Sequence, residues 1–538
     1  MEQDSNSFQT SQLGRLISRT APPPKKRRRL ESLSPTRLIV SSFLVVIVTG
    51  ALLLMLPFAT RNGITPVQAF FTATSATCVT GLVVLDTYQG FTTFGQTVVI
   101  CLIQIGGLSL VPLASFFTLA LRRRVGFRSM KLASESIGTS NVAEARGLLL
   151  VVMKLAAFFE GLGFVLLLPV FVPEYGSEGI FISIFLSISA FCNAGFDILG
   201  RTQSYVSLMG YASNWYVQGI IMFLIVAGGL GFLVWHDLGQ WRKTHHLSIH
   251  TKVVLFCTIL LIVGGTVGFA FLEWNNPATL GGMSTGDKVV NSMFQSISAR
   301  TAGFNTIDLA SMGSITKCML CVLMFIGAAP GGTGGGIKVT TFSVILVTVA
   351  SVVTGREDAQ IFRRRIDKKT VYQALSISML SLGVVILVTL IVFFNCGELI
   401  SPLDCLYEVV SAFGTVGCSV GVTGEMHAPA LIITMVTMFI GRVGPVSLAI
   451  SLASQRREQG KFDILPEGKI SVGSFRSECS ASVCCPPSKR RNRSLASISF
   501  VFSPGVFSAC GVDSCGCFSG DAGVQLAHSS DFRRLFLS

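Results

Sequence analysis

The chain has 538 residues, of which 50% are hydrophobic and 13% charged, and its mean hydropathy is +0.64. A soluble globular domain carries about 25% charged residues, so this composition excludes a soluble enzyme or binding domain and predicts a polytopic membrane protein. The formal net charge is +14. Because basic residues are enriched in cytoplasmic loops, their positions along the chain indicate the membrane topology.

Eight apolar stretches are long enough to cross a bilayer, which takes roughly 20 residues each. We place them near residues 38–60, 95–121, 148–172, 212–235, 252–272, 315–353, 373–395 and 429–454. Basic clusters such as Lys25–Arg29 and Arg122–Lys131 come before the first stretch and after the second, fourth, sixth and eighth. By the positive-inside rule, this alternation puts both termini in the cytoplasm. The run PPPKKRRR also fits a nucleic-acid patch, but eight spans favour a membrane protein with no nucleic-acid partner.

A shorter, half-polar segment follows each odd-numbered span and is too short to cross the membrane. Aligned on one glycine, the four segments read CVTGL (78–82), CNAGF (192–196), RTAGF (300–304) and GTVGC (414–418). The glycines are about 110 residues apart, and a Ser-Ala pair precedes each of them by five or six positions. Repetition at a fixed period predicts four copies of one structural unit.

A segment that enters the membrane as a short helix and leaves as extended chain exposes backbone carbonyls at membrane depth. Lipid forbids this unless the backbone lines a cavity or is buried in protein. Four such segments around one axis would form a ring of carbonyl oxygens that replaces the hydration shell of a monovalent cation. The residues predicted to form this ring are Val79, Thr80, Gly81, Asn193, Ala194, Gly195, Thr301, Ala302, Gly303, Thr415, Val416 and Gly417.

An acidic residue follows each glycine on its outer side, namely Asp86, Asp197, Asp308 and Glu425. Together these carboxylates favour a cation path, because they would raise the local cation concentration. Taken singly, each is as compatible with a solvated loop charge.

The sixth stretch contains IGAAPGGTGGGIK at residues 326–338. From Ile315 to Val353 a continuous helix would be about 58 Å long, against a hydrocarbon core of roughly 30 Å. We therefore predict a break that forms an intramembrane gate loop, with a kinked helix as the alternative. A phosphate-binding loop is excluded because Ile337 separates Gly336 from Lys338. The predicted gate residues are Gly327, Pro330, Gly331, Gly332, Thr333, Gly334, Gly335 and Gly336.

Two charged residues lie within predicted spans. Arg442 is near the middle of the eighth, where a cation faces a bundle interior or a cavity. It is predicted to form a barrier or latch in the pore, with a purely structural pairing as the alternative. Glu160 in the third span belongs to no motif, and Lys154 is six residues away on the wrong face.

The four glycine motifs, one per hairpin, resemble the filter loops of the Trk/Ktr/HKT superfamily of potassium-uptake proteins, and are most similar to bacterial Ktr-type membrane subunits. The resemblance extends from about residue 38 to 473 and includes GAAPGGTGGGIK, GRVGP (441–445) and PEGKISVG (466–473). It implies a complete pore within one chain, a homodimer, and regulation by a separate cytosolic nucleotide-binding ring of the KtrA or TrkA type. Gly81 resembles the potassium-selective members, because sodium-tolerant plant relatives have serine there.

The fold expected is therefore an all-α polytopic membrane protein with eight transmembrane helices, arranged as four outer-helix/pore-helix/inner-helix repeats around one pore. We expect a potassium-selective subunit in a bacterial plasma (inner) membrane, with potassium as substrate and sodium as an alternative ion. The chain is expected to bind no nucleotide itself and to be no enzyme. A secondary transporter of an organic solute or sodium-coupled cation is the alternative. The predicted segments are a basic N-terminus without ordered structure (1–37), pore repeats 1 (38–125), 2 (145–245), 3 (250–355, with the gate loop at 327–336) and 4 (370–473), and a Cys/Ser-rich tail without ordered structure (474–538).

Overall fold

The computed structural model describes residues 35–108 and 142–445, apart from residues 202, 357, 363, 398 and 399. The expectations for most of the N-terminal segment, for the cluster Arg122–Lys131 and for the tail 474–538 lie outside the described residues. The expectations for residues 109–121 of the second apolar stretch and 446–454 of the eighth also lie outside the described residues.

Sixteen α-helices form the described part of the chain. The first eight are α1 (Pro35–Leu54), α2 (Pro66–Cys78), α3 (Thr87–Gly90), α4 (Thr93–Leu108), α5 (Val142–Tyr175), α6 (Glu178–Phe191), α7 (Trp215–Gly229) and α8 (Phe232–Thr244). The others are α9 (Ile249–Glu273), α10 (Thr285–Ser298), α11 (Ser314–Phe325), α12 (Val339–Val353), α13 (Lys368–Cys396), α14 (Pro402–Gly414), α15 (Val422–Glu425) and α16 (Ala428–Val443). A two-stranded antiparallel hairpin, β1 (Gln360–Ile361) with β2 (Arg364–Arg365), is the exception to the expected all-α class.

The four short helices α2, α6, α10 and α14 are largely buried in their C-terminal halves. Residues 71–78 of α2 are all buried, although four of these eight are Thr or Ser. Small side chains allow close helix packing, and Ser75 Oγ accepts a hydrogen bond from Gly81 N. The core therefore lies around the short helices, and the long helices α5, α9 and α13 expose many large apolar side chains.

Each short helix also packs against the helix that ends the preceding unit. Helix α4 packs on α6, α7 on α10, α11 on α14, and α16 returns to α2. The fourth contact joins the end of the described chain to its beginning, so the packing order closes on itself.

Three of the described helices are long and apolar enough to cross a membrane, namely Leu150–Tyr175 within α5, α9 and α13. A fourth crossing results if α7 and α8 are counted together. The apolar parts of α1, α4, α6, α11, α12 and α16 are shorter, between 10 and 17 residues. Within the described residues, helices occupy much of each predicted apolar stretch, and the molecule is a mainly helical multi-pass membrane protein.

The fourth apolar stretch differs from the single span predicted at 212–235. Helix α7 ends at Gly229 and α8 begins at Phe232, and their axes diverge by 93°. The chain turns at Gly231, whose φ of 86° lies in the left-handed region that glycine tolerates. Helix α8 therefore runs at nearly a right angle to α7 and does not continue it as one straight span.

Candidate functional site

Each of the four short helices leads into a loop whose first residues carry the predicted ring. We call residues 79–81, 193–195, 301–303 and 415–417 loops 1 to 4. Loops 1 and 4 begin with a bond of the helix-ending Schellman pattern, from Thr80 N to Ser75 O (2.8 Å) and from Val416 N to Ser411 O (2.8 Å). The first residue of every loop has positive φ: Val79 58°, Asn193 59°, Thr301 79° and Thr415 51°.

The glycine two positions later is again left-handed in every loop. The φ values are 91° at Gly81, 70° at Gly195, 81° at Gly303 and 92° at Gly417. In an ordinary extended strand successive peptide groups point to opposite sides. A left-handed residue at every second position turns the intervening peptide units, which lets successive carbonyls face the same side.

The four loops form a closed ring. A Cβ atom at Gly81 would lie under 3.0 Å from the carbonyl oxygen of Ala194, in loop 2. The same holds for Gly195 with Ala302, for Gly303 with Val416, and for Gly417 with Thr80. Each glycine therefore approaches the backbone of the next loop, and the fourth approaches the first.

The serine of the repeated Ser-Ala pair bonds to the loop in all four copies. Ser75 Oγ accepts a hydrogen bond from Gly81 N (3.2 Å), and Ser411 Oγ accepts one from Gly417 N (3.1 Å). Ser189 Oγ instead donates to Phe196 O (2.7 Å), and Ser298 Oγ donates to Phe304 O. The sequence showed the pair as a repeat but did not indicate this role.

A cavity of about 260 Å³ lies on one side of the ring and is lined by all four glycines. Asp86, Asp197 and Asp308 line it too, whereas Glu425 does not. Asp86 also caps α3 and accepts a hydrogen bond from Tyr205 N (2.8 Å), so its role is partly structural. Burial raises the pKa of Asp197 to about 7, a hydrogen bond from Leu199 N opposes the rise, and the Asp86 carboxylate adds to it.

Residues 326–338, which we call the 326–338 segment, lie against the first residues of the loops. Gly335 N donates to Thr415 Oγ1 (2.9 Å), and Thr333 Oγ1 donates to Phe191 O (3.2 Å). A Cβ at Gly334 would lie under 3.0 Å from Thr301 Oγ1. The predicted gate residues therefore lie directly against loops 3 and 4 and against the last residue of α6, just before loop 2.

The corner between α7 and α8 holds the 326–338 segment from another side. Ala329 N donates to Gly229 O (3.0 Å), Thr333 N to Gly228 O (3.2 Å), and Phe232 N to Gly331 O (3.1 Å). Reasoning from sequence missed this contact, because the corner was assigned to a continuous span.

The guanidinium of Arg442 links the 326–338 segment to α4. Its Nη1 donates to Thr333 O, and its Nη2 donates to Gly106 O (2.5 Å) and more weakly to Gly107 O (3.4 Å). None of the salt bridges between described residues includes Arg442. The cation is therefore balanced by carbonyl dipoles, which can be exchanged more easily than a carboxylate partner.

Comparison with known proteins agrees with this arrangement. The family profile of TrkH, described as a cation transport protein, matches residues 11–463. The chain is 38% identical over 441 residues to the Ktr system potassium uptake protein B of Bacillus subtilis, covering 82% of this chain and 97% of that protein. It is 40% identical over 440 residues to the protein of the same name from Vibrio alginolyticus, covering 81% and 94%.

Two further relatives extend the comparison. The potassium/sodium uptake protein NtpJ of Enterococcus hirae is 35% identical over 446 residues, covering 82% of this chain and 98% of that protein. The crystal structure of the potassium transporter TrkH from Vibrio parahaemolyticus matches with a TM-score of 0.61 at 20% identity, covering 80% and 87%. That likeness supports the fold. The family expected from the four glycine motifs is confirmed, and the chain belongs to the TrkH family of cation transport proteins, a family of transporters rather than enzymes.

Proposed function

We propose that this chain is the ion-translocating membrane subunit of a potassium-uptake system, with loops 1 to 4 as its selectivity filter. The observation that carries the proposal is the closed ring, in which each of the four glycines approaches the backbone of the next loop. Relatives at 38% and 40% identity are named potassium uptake proteins, which supports potassium as the substrate.

The ring would act by replacing water around the ion. A cation that leaves the outer cavity would exchange its hydration shell for carbonyl oxygens of the four loops. The short helices end at the ring, so the negative ends of their dipoles favour a cation at its inner side. Asp86, Asp197 and Asp308 would concentrate cations in the cavity before they enter.

The 326–338 segment would be the gate. It contacts the first residues of loops 3 and 4 directly, so an ion leaving the ring inward meets it first. Arg442 would hold the segment in this position through Thr333 and add a positive barrier. This arrangement corresponds to a closed gate.

The proposed architecture is the four-repeat pore with eight spans, bounded as the sequence predicts. The cyclic packing of α4, α7, α11 and α16 on the short helix of the next unit supports it. The break in the sixth span would be the 326–338 segment. Both termini would be cytoplasmic and the membrane the bacterial plasma membrane, as the basic clusters indicate.

Two partners complete the proposal. A second copy of the chain would form a homodimer, and a cytosolic nucleotide-binding ring would regulate the gate. The relatives' name, "Ktr system potassium uptake protein B", describes one component of a larger system. Nucleotide sensing would then come from that regulatory protein. Sodium stays an alternative ion, because one relative is named a potassium/sodium uptake protein.

The proposal is tested by growth of a potassium-uptake-deficient bacterium on low potassium. The wild type is compared with Gly303→Asp and with Gly264→Ala, each with a cognate regulatory ring and at equal membrane expression. Gly303 has φ 81° and faces Val416 O, whereas a Cβ at Gly264, in α9 of the same repeat, would meet no atom within 4 Å.

Rescue by the wild type and by Gly264→Ala, but not by Gly303→Asp, is the expected result. Failure of a well-expressed wild type to rescue growth would contradict potassium uptake. Uptake of organic solutes in the presence of sodium would then decide for the secondary transporter.

A further inference from the structure

Glu160 is a carboxylate within the long apolar helix α5, and no motif accounts for it. Ionisable groups at membrane depth are costly and mark functional positions. Both carboxylate oxygens accept hydrogen bonds from one amide, with Gln104 Nε2 at 2.9 Å from Oε1 and 3.1 Å from Oε2. None of the ion pairs between described residues includes Glu160. Its partner is therefore the amide of Gln104 on α4.

The amide oxygen of Gln104, Oε1, faces the residue directly before loop 2. Cys192 Sγ donates to Gln104 Oε1 at 3.6 Å and lies 4.0 Å from Glu160 Oε1. Cys192 is fully buried and directly precedes Asn193, the first residue of loop 2. A chain of hydrogen bonds thus runs from Glu160 through Gln104 to the start of the loop.

The close packing of α4 depends on its glycines. A Cβ at Gly107 would lie 2.6 Å from Cys192 Sγ, and one at Gly106 would lie under 3.0 Å from Thr77 O, just before loop 1. The carbonyls of the same two glycines accept from Arg442. The turn of α4 from Gln104 to Gly107 therefore contacts the residue directly before loop 2, the residue two positions before loop 1, and the arginine that binds the 326–338 segment.

The backbone at Glu160 is itself fixed against the short helix α6. Ser187 Oγ donates to Glu160 O at 2.6 Å. A Cβ at Gly163 would lie under 3.0 Å from the same Ser187 hydroxyl, so α5 and α6 are in close contact here. This contact gives the carboxylate a defined position relative to loop 2.

We propose that Glu160 is a positioning residue for loop 2, which orients the Gln104 amide so that Cys192 and the loop behind it keep the geometry that selects the ion. This inference rests on the proposed potassium filter and deepens it. Glu160 does not touch the ion. It acts through Gln104, so a side chain that keeps the acceptor oxygen should preserve selectivity and an apolar one should not.

The test measures the ratio of potassium to sodium flux in proteoliposomes. We expect Glu160→Leu and Gln104→Leu to lower the ratio about fivefold, the change that loss of one net hydrogen bond supports. Glu160→Gln should stay within about twofold of the wild type, because its amide oxygen still accepts from Gln104 Nε2.

Substitutions of Cys192 give a second comparison, with smaller changes in side-chain size. Cys192→Ser keeps the donor and should preserve the ratio, whereas Cys192→Ala should lower it. Cys78 holds the equivalent place directly before loop 1, is equally buried, and its thiol makes none of the side-chain hydrogen bonds found in the described part of the chain. Cys78→Ala is therefore the matched comparison for loss of a thiol without loss of a bond.

Wild-type ratios in folded Glu160→Leu and Cys192→Ala, with only thermal stability reduced, would overturn the inference and leave Glu160 a structural residue. Equal loss of selectivity in Glu160→Gln would also overturn it, since charge rather than hydrogen bonding would then matter. Neither result touches the proposed function, which is tested separately by growth of the wild type on low potassium.

Discussion

At the scale of single residues, left-handed backbone sets the geometry of the ring, and the sequence revealed half of it. The repeated glycines at 81, 195, 303 and 417 were visible in the sequence, and all four have the positive φ that glycine tolerates. The residues two positions earlier also have positive φ, although Val79, Thr301 and Thr415 are β-branched and rarely adopt it. The residues' own preferences could therefore not have predicted this conformation.

The serine hydroxyls that hold the loops offer the first test. We expect Ser411→Ala to lower the ratio of potassium to sodium flux about fivefold, because Gly417 N loses its buried acceptor. Ser376→Ala is the control, since Ser376 is exposed and only bonds to the carbonyl of Tyr372 in its own helix. An unchanged ratio in Ser411→Ala would show that the hydroxyl does not fix the loop.

The cavity beside the ring, which faces outward in the proposed orientation, predicts a pH dependence. Asp197 lies outside the predicted spans with its pKa raised to about 7, so the carboxyl is mainly charged above that pH and neutral below it. Potassium uptake at low external potassium should therefore fall about twofold when the external pH drops from about 8 to about 6. Asp197→Asn should be insensitive to this change. A wild type without pH dependence would mean that this carboxylate does not concentrate ions.

The position of Arg442 predicts the effect of removing its charge. Arg442→Gln should raise basal potassium flux about tenfold, because it weakens the bonds to Thr333 O and Gly106 O and removes a positive charge. The ratio of potassium to sodium flux should stay unchanged, since the loops themselves are intact. Lower basal flux in a folded variant would argue that Arg442 supports the open rather than the closed arrangement.

At the scale of helices, the sequence predicted where the apolar stretches lie. It predicted the break in the sixth stretch but not the corner in the fourth. Length alone required a break between Ile315 and Val353, and helices α11 and α12 are separated by residues 326–338. The stretch at 212–235 was short enough for one span, so nothing in its length indicated the corner at Gly231. That corner forms because its backbone bonds to the 326–338 segment, a partner about 100 residues away.

Adding a single methyl group at Gly231 tests whether this corner holds the 326–338 segment in place. In Gly231→Ala the new Cβ would lie 2.7 Å from Pro330 O, at a φ of 86° that alanine avoids. We expect the corner to move away from the 326–338 segment and basal potassium flux to rise about fivefold with unchanged selectivity.

Gly239→Ala on the same helix α8 is the control, because a Cβ there meets no atom within 4 Å. Basal fluxes that are equal in the two variants would show that the corner does not hold the segment.

At the scale of the whole molecule, the four copies of the glycine motif were visible in the sequence, but the contact between the last copy and the first was not. The period of the glycine motifs indicated four units without saying how the last meets the first. In the structure α16 packs on α2, and Gly417 approaches Thr80 O, so loop 4 adjoins loop 1. Contacts between the two ends of the pore region are distant in sequence, and only the folded chain reveals them.

The most direct test of the account is to locate the ion. Crystals grown with rubidium, a heavier analogue of potassium, should give an anomalous peak on the axis of the ring, surrounded by the carbonyls of loops 1 to 4. The peak should vanish in Gly303→Ala and persist in Gly264→Ala. A well-ordered wild-type crystal without density at the ring, or with rubidium bound only elsewhere, would contradict the assignment of these loops as the filter.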